Sequence, residues 1–205
     1  PRRKGAHDAA LIRPMTEADL TLLCQAAERL PRLMVTLAPE AVTPAQIRRL
    51  TQAGVVVSLG HSDCTAETAA RAFAAGARCA THLFNAMSQL GNREPGLVGA
   101  VLGGTAGAGV IADGVHVHPQ TLRAALAART EGLFLVSDCM AFAGSDLQEM
   151  ELGGRQILRR DGRLTLADGT LAGADLTLPR AVGVLVEKVG LDPARALRMA
   201  SAEPA

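Results

Sequence analysis

Val55-Val56-Val57-Ser58-Leu59-Gly60-His61-Ser62-Asp63 is a short apolar run that stops abruptly in a polar triplet. A run this brief and this rich in branched residues reads as a strand buried on both faces, the form strands take in parallel sheets covered by helices. The same pattern recurs on either side. LMVTLA at 33–38 precedes it, and CATHLF at 79–84, GVIA at 109–112 and LFLVS at 133–137 follow. The intervening stretches 44–53, 66–75 and 119–129 read as helices. Pro44 and Pro119 fall at first helical positions after Thr43 and His118, and Thr65 with Thr68 marks a third start. Gly54 and Gly76 stand where C-terminal caps belong. This alternation predicts an α/β fold around a parallel sheet. The segment 150–173 breaks the rhythm: Gly153-Gly154, Asp161-Gly162 and Asp168-Gly169 punctuate short extended pieces, which predicts a β-hairpin insertion. Helix returns over 176–189 and again from Pro193.

Composition narrows the function. A chain of 205 residues, 48% hydrophobic, supports one sizeable core, and we expect one domain over 1–205. Its 21 basic and 20 acidic residues nearly cancel, and with four Phe, no Trp and no Tyr it lacks the stacking platform and cationic face that nucleic acid requires. No apolar stretch reaches the ~18 residues of a membrane span. Cys24, Cys64, Cys79 and Cys139 show no C-x-x-C spacing, so we expect reduced thiols and a cytoplasmic protein. The ends, Pro1-Arg2-Arg3 and Glu203-Pro204-Ala205, read as cut from a longer chain.

The chemistry collects after the apolar runs. His61 follows VVVSLG, His82 lies inside CATHLF, Asp113 and His116 follow GVIA, and Asp138 follows LFLVS. The C-terminal ends of parallel strands form the ligand face of such folds. Two imidazoles from neighbouring strands can hold one divalent metal, and a nearby carboxylate can carry protons. Three unrelated structural residues would give the same list, and spacing alone names no reaction.

The local words do more. Gly60-His61-Ser62-Asp63, Thr81-His82-Leu83-Phe84-Asn85-Ala86-Met87, Arg93-Glu94-Pro95-Gly96, Ile111-Ala112-Asp113-Gly114-Val115-His116 and Val136-Ser137-Asp138 occur in this order. Lys4-Gly5-Ala6-His7 and Leu37-Ala38-Pro39-Glu40 come before them, and Leu171-Ala172-Gly173 after. Through nearly its whole length the chain resembles the N-acetylglucosamine-6-phosphate deacetylase family of the amidohydrolase superfamily. The resemblance implies a partial (β/α)8 TIM-type barrel, about the last five strand–helix units, with the hairpin inserted after the last strand. It implies that His61 and His82 ligate a catalytic divalent metal, zinc first, with iron or another divalent ion as alternatives. Asp138 matches the acid/base that serves a metal-activated water attacking the acetamide. Asn85, the backbone of Ala86, Arg93 and His116 match contacts to the sugar phosphate, while Ala6, His7 and Leu171 line the substrate pocket. A homodimer acting on a small-molecule sugar phosphate is the implied assembly. The family's third protein ligand, a glutamate in a Leu-Glu-Gly-Pro-type word, has no counterpart here; Glu40 belongs to a different motif and is not promoted to that role. Cys139 and Phe142 replace residues that are usually small or proline, and we expect them to reshape the pocket wall.

Two other readings stay open at this stage: an amidohydrolase acting on a different amide, and a non-catalytic truncated chain. Some features invite less. The glycine-rich run 103–109 leads into a strand instead of opening a helix, so it reads as a connector and not as a phosphate loop. Cys64 and Cys79 read as core thiols, His118 as a solvent-facing helix start, and Asp63 as either a helix cap or a support for a ligand histidine.

Overall fold

The computed structural model describes residues 3–204; Pro1, Arg2 and Ala205, the ends of the expected domain, lie outside the described residues. The chain divides into two compact units, one of residues 3–4 and Ala9–Ala108, the other of Gly5–Asp8 and 109–204.

In the first unit, strands and helices alternate as α1 (Glu17–Arg29), β1 (Met34–Leu37), α2 (Pro44–Gln52), β2 (Val56–Leu59), α3 (Ala66–Ala74), β3 (Cys79–Ala80) and α4 (Gly96–Leu102). The strands pair in parallel, with Leu37 opposite Leu59 and Leu59 opposite Ala80. β2 is the buried centre: Val57, Ser58 and Leu59 are sealed, whereas β1 alternates between exposed and half-buried residues. Leu20, Ile47 and Leu50 from α1 and α2, and Leu97, Val98 and Val101 from α4, complete the core. Thr43 caps α2 through a reciprocal pair of bonds with Gln46, Pro44 takes the first turn, and Thr65 caps α3 by accepting the Thr68 N–H.

The second unit begins inside β4 (Gly107–Val110), which both units share. Gly107 and Ala108 pair with Cys79 and Ala80, and further along the Val136 N–H donates to the Val110 carbonyl, bringing in β5 (Leu133–Leu135). Sheet order is therefore chain order, β1-β2-β3-β4-β5. Helices α5 (Pro119–Ala128), α6 (Leu178–Val184) and α7 (Pro193–Met199) follow the expected plan, and α6 runs on through a wider turn at Leu185–Val189 to Gly190.

The structure differs from the expectation in five places. Strand β4 occupies Gly107–Val110 where 109–112 was expected, so the last three residues of the glycine-rich run 103–109 are strand, not connector. Helix α1 stands where none was read. Its signal is the pair Thr16 and Asp19, which cap one another, followed by Leu20, Leu23, Cys24 and Ala27 on one helical stripe. The Arg13 guanidinium, helped by Thr16, holds the Asp19 carboxyl far below the usual carboxylate range. Helix α4 was also unread. With two glycines and two valines in seven residues it has weak intrinsic preference, and burial of Leu97, Val98 and Val101 overrides that. Strand β3 stops at Ala80, not at 84, because His82 and Phe84 already turn left-handed at φ 35° and 77°. The expected hairpin is a three-stranded antiparallel sheet of β6 (Glu149–Leu152), β7 (Arg155–Arg160) and β8 (Arg163–Leu166). Gly153-Gly154 and Asp161-Gly162 are both two-residue turns with positive φ throughout, which suits tight hairpins and makes two of them in succession. Phe142, Ile157, Leu164 and Ala172 form a separate small core beneath this sheet, so Phe142 is a packing residue there.

Leu50 is fully buried and Leu22 is 66% exposed. Leu50→Ala is expected to lower unfolding free energy by about 2–5 kcal/mol, and Leu22→Ala by less than about 0.5 kcal/mol, both read from denaturant titrations.

Candidate functional site

Strand β2 ends at Leu59 and, after Gly60, the chain turns at His61; strand β3 ends at Ala80 and, after Thr81, the chain turns at His82. Both histidines are left-handed, at φ 48° and 35°. Such backbone costs of order 1–3 kcal/mol per residue and persists only where the surroundings hold it. Gly60 lets the corners come together: a Cβ there would lie 3.0 Å from both Thr36 Cγ2 and Thr81 Cβ. Just below, the hydroxyls of Thr36 and Ser58 meet that of Thr81 at 2.8 and 2.7 Å, tying β1, β2 and β3 together.

The outcome is a pair of facing imidazoles. His61 Nε2 and His82 Nε2 lie 2.9 Å apart, with ring planes at 73°. His61 Nδ1 sits 3.2 Å from the Arg3 carbonyl. A carbonyl only accepts, so this contact sets Nδ1 as the protonated nitrogen and leaves the Nε2 lone pair directed at His82. Two Nε2 atoms this close share either a proton or a cation. A cation about 2.05 Å from each nitrogen separates them by about 2.9 Å at a right angle and about 3.3 Å at the tetrahedral angle. The donor pair therefore fits a divalent metal with little movement. Among the described residues no group of three or more His, Cys, Asp or Glu side chains gathers round a common point. Burial pushes the Cys64 and Cys79 thiols up, away from the thiolate a metal needs.

Polar bonds lock the two corners to one another. Buried Ser62 donates its N–H to the Ala86 carbonyl and accepts from the Ser88 N–H, at 3.1 and 2.9 Å. Its hydroxyl donates to Glu40 Oε2 at 2.6 Å, and Glu40 Oε1 accepts the Asp63 N–H at 2.7 Å. Glu94 accepts the N–H groups of Ala66 and Gly96, which hold its carboxyl below the ordinary value. Gln89 closes the second corner, its side-chain Nε2 donating to the Phe84 and Met87 carbonyls at 2.8 Å each. Asn85 bonds back to the His82 carbonyl through its N–H, Ala86 is left-handed at φ 48°, and Arg93 is exposed. Thr65, not Asp63, caps α3, and Asp63 pairs with Arg3 at 2.8 Å. The sequence assigns no role to Ser62, Ser88, Gln89 or Glu94 and sets Glu40 aside as a ligand, although Glu40 lies in the Leu-Ala-Pro-Glu word and Ser62 directly after His61.

In the second unit, Asp138 lies three residues beyond β5, at φ 48°, and is exposed. Its carbonyl accepts the Ala174 N–H at 2.8 Å, which lays Leu171-Ala172-Gly173 alongside it. Gly173, at φ 70°, has no room for a Cβ, which would fall 2.7 Å from Met140 Cγ. Ala6 packs on the Phe142 core and its carbonyl accepts from Arg155; His7 is exposed and Leu171 half-buried. His116 Nδ1 donates to Asp113 Oδ2 at 2.6 Å, and Asp113 Oδ1 takes the Val115 and His116 N–H groups at 2.8 Å each. His118 is exposed and caps α5 by accepting the Gln120 N–H.

Comparison with known proteins gives one consistent picture, although no protein-family model matches the chain. It is 40% identical to an N-acetylgalactosamine-6-phosphate deacetylase from Shewanella sp. (strain ANA-3), over 99% of this chain and 52% of that protein. It superimposes on the N-acetylglucosamine-6-phosphate deacetylase of Pasteurella multocida with a TM-score of 0.95 at 37% identity, covering 99% of this chain and 53% of the other. A mutant deacetylase from Mycobacterium smegmatis, in complex with N-acetyl-D-glucosamine-6-phosphate, matches with a TM-score of 0.91 at 34% identity, covering 99% of this chain and 55% of that one. The chain thus spans about half the length of the proteins it matches, and its likeness to the 6-phosphate deacetylases extends from end to end.

Burial alone would raise the Asp113 carboxyl, but the bonds from His116 and Val115 outweigh it and hold the group below its ordinary value. A depressed carboxylate contributes stability that is present above its unfolded value and lost as pH falls through the folded one. The urea midpoint should therefore drop as pH falls below the unfolded value of 3.8, and Asp113→Asn should flatten that drop relative to the native sequence.

Proposed function

We propose that this chain belongs to an enzyme that hydrolyses the acetamide of an N-acetylhexosamine 6-phosphate, releasing acetate and the amino-sugar phosphate. The observation that carries this reading is the 2.9 Å approach of the His61 and His82 Nε2 atoms from two successive strand ends. These imidazoles would hold a divalent metal, zinc in the first place. When bound, such an ion supplies a Lewis acid and a water acidified from about 15.7 towards ~7.

The chain's own residues do the rest. Asp138 takes a proton from the attacking water and returns it to the departing nitrogen, which leaves poorly unless protonated. Arg93 offers a planar fork of donors suited to a phosphate. His116 commits Nδ1 to Asp113, so its ring is fixed with Nε2 available to the phosphate. Asn85 and the Ala86 backbone address the sugar phosphate, and Ala6, His7 and Leu171 line the substrate pocket. Because the phosphate is remote from the bond that breaks, these contacts act by positioning. A cytoplasmic homodimer completes the reading; four free cysteines support the reducing compartment.

The sugar's configuration admits a second reading. The chain is 40% identical to a protein named for the galacto substrate and 37% identical to a solved structure named for the gluco one. Both epimers should therefore be assayed in the full-length protein, and the higher kcat/KM identifies the substrate.

Asp138→Asn in the full-length protein is expected to lower acetate release by about 10²–10⁴-fold with metal content unchanged. His82→Asn is expected to lose the metal itself, by elemental analysis. Undiminished turnover in Asp138→Asn would remove that residue from the mechanism.

A further inference from the structure

We propose that Glu40 is a positioning residue for the His61–His82 pair, a role that rests on reading those imidazoles as cation ligands. Glu40 lies in the single turn Pro39–Ala41 that follows β1. Both of its carboxylate oxygens are engaged, Oε2 by the Ser62 hydroxyl at 2.6 Å and Oε1 by the Asp63 N–H at 2.7 Å. It thereby grips the two residues immediately after His61.

Ser62 is the junction of the two corners. It is fully buried, and each of its polar groups is bonded: N–H to the Ala86 carbonyl, carbonyl to the Ser88 N–H, hydroxyl both to Glu40 and from the Cys64 N–H. The first two bonds reach across to the loop that follows His82. Glu40 thus adds a charged acceptor, stronger than a neutral one, at the point where both loops meet. Without it a buried hydroxyl and an amide lose their acceptor beside a residue already held at φ 48°. The corner then relaxes toward common backbone, and His61 Nε2 swings away from its partner. Both Glu40 bonds go to the chain after His61, so Glu40 acts through the corner.

The test is a cobalt(II) titration of the whole chain, followed by visible absorption, with unfolding of the metal-free protein measured alongside. The native sequence should bind one cobalt ion, and His82→Asn should not. Glu40→Ala should bind about 10–100-fold more weakly, the usual effect of losing a group that orients a metal ligand, and with an altered absorption envelope. Glu40→Gln should recover part of the loss, since its amide oxygen still accepts one of the two bonds. Leu50→Ala, which loosens the core away from this corner, should bind as the native sequence does. Native-like cobalt affinity in Glu40→Ala, while His82→Asn fails to bind, overturns the role of Glu40 and leaves the two-imidazole reading intact. Equal weakening in Leu50→Ala and Glu40→Ala overturns it too, because general loosening then explains the loss. Identical binding by the native sequence and His82→Asn overturns the ligand reading and this inference with it. Should Glu40→Ala fail to fold, Glu40→Asp decides: it keeps the charge but withdraws the oxygens by one methylene, so weakened binding upholds the role and unchanged binding refutes it.

Discussion

A left-handed backbone at the residue where a buried strand ends is the constraint on which the candidate site depends. His61, His82 and Asp138 all adopt it, at φ 48°, 35° and 48°, each two or three residues beyond the end of a parallel strand. Few side chains tolerate that conformation, although His, Asp and Asn enter it more readily than most. Its consequence is directional. The strand delivers the residue to the sheet's C-terminal edge, and the corner then turns its side chain away from the path a continuing strand would give it. In the first unit this brings the Nε2 atoms of two rings from neighbouring strand ends to 2.9 Å.

Strain of this kind lasts only if its neighbourhood is over-determined. Around His61 and His82 the restraint comes from below and from beside. Below, Thr36, Ser58 and Thr81 share hydroxyl bonds across three strands, and bare Gly60 allows their close approach. Beside, Ser62 ties the two loops through both backbone groups, while Gln89 and Glu94 satisfy the carbonyls and amides of the chain that follows. A metal site with rigid first ligands needs such support, because an error of a fraction of an ångström in donor position costs affinity.

The second unit solves a related problem with less apparatus. Asp138 is held through its own carbonyl by the returning chain at Ala174, and Gly173 is the residue that permits this approach. The three-stranded insertion folds over its own core of Phe142, Ile157, Leu164 and Ala172, to which Ala6 also adheres. Arg159 pins the sheet to the chain leading into α6 through a two-pronged pair with Asp175 and a bond to the Ser145 carbonyl. His116 is fixed in turn by Asp113, whose buried carboxylate takes three donors.

Much of this could be read without coordinates. Strand runs, helix starts at Thr43-Pro44 and His118-Pro119, caps at Gly54 and Gly76 and the turn pairs of the insertion are local signals, because the backbone preferences of a few consecutive residues decide them. The candidates His61, His82 and Asp138 stand out for the same reason, since ligand types follow strand-like runs, whereas the reaction proposed for them comes from the resemblance of the surrounding words. What the sequence left open was decided by burial and by pairing between distant residues. Helix α4 forms because its apolar face is sealed, against its own weak preference. Strand β3 ends early because residues 82–86 turn to meet the loop after β2. The separation of two imidazoles 21 positions apart, and the grip of Glu40 on residues 22 and 23 positions beyond it, exist only once three parallel strands have set their register. Sequence names the donors, but only the folded chain fixes the distances between them, since donor geometry is a property of strands that are neighbours in space and not along the chain.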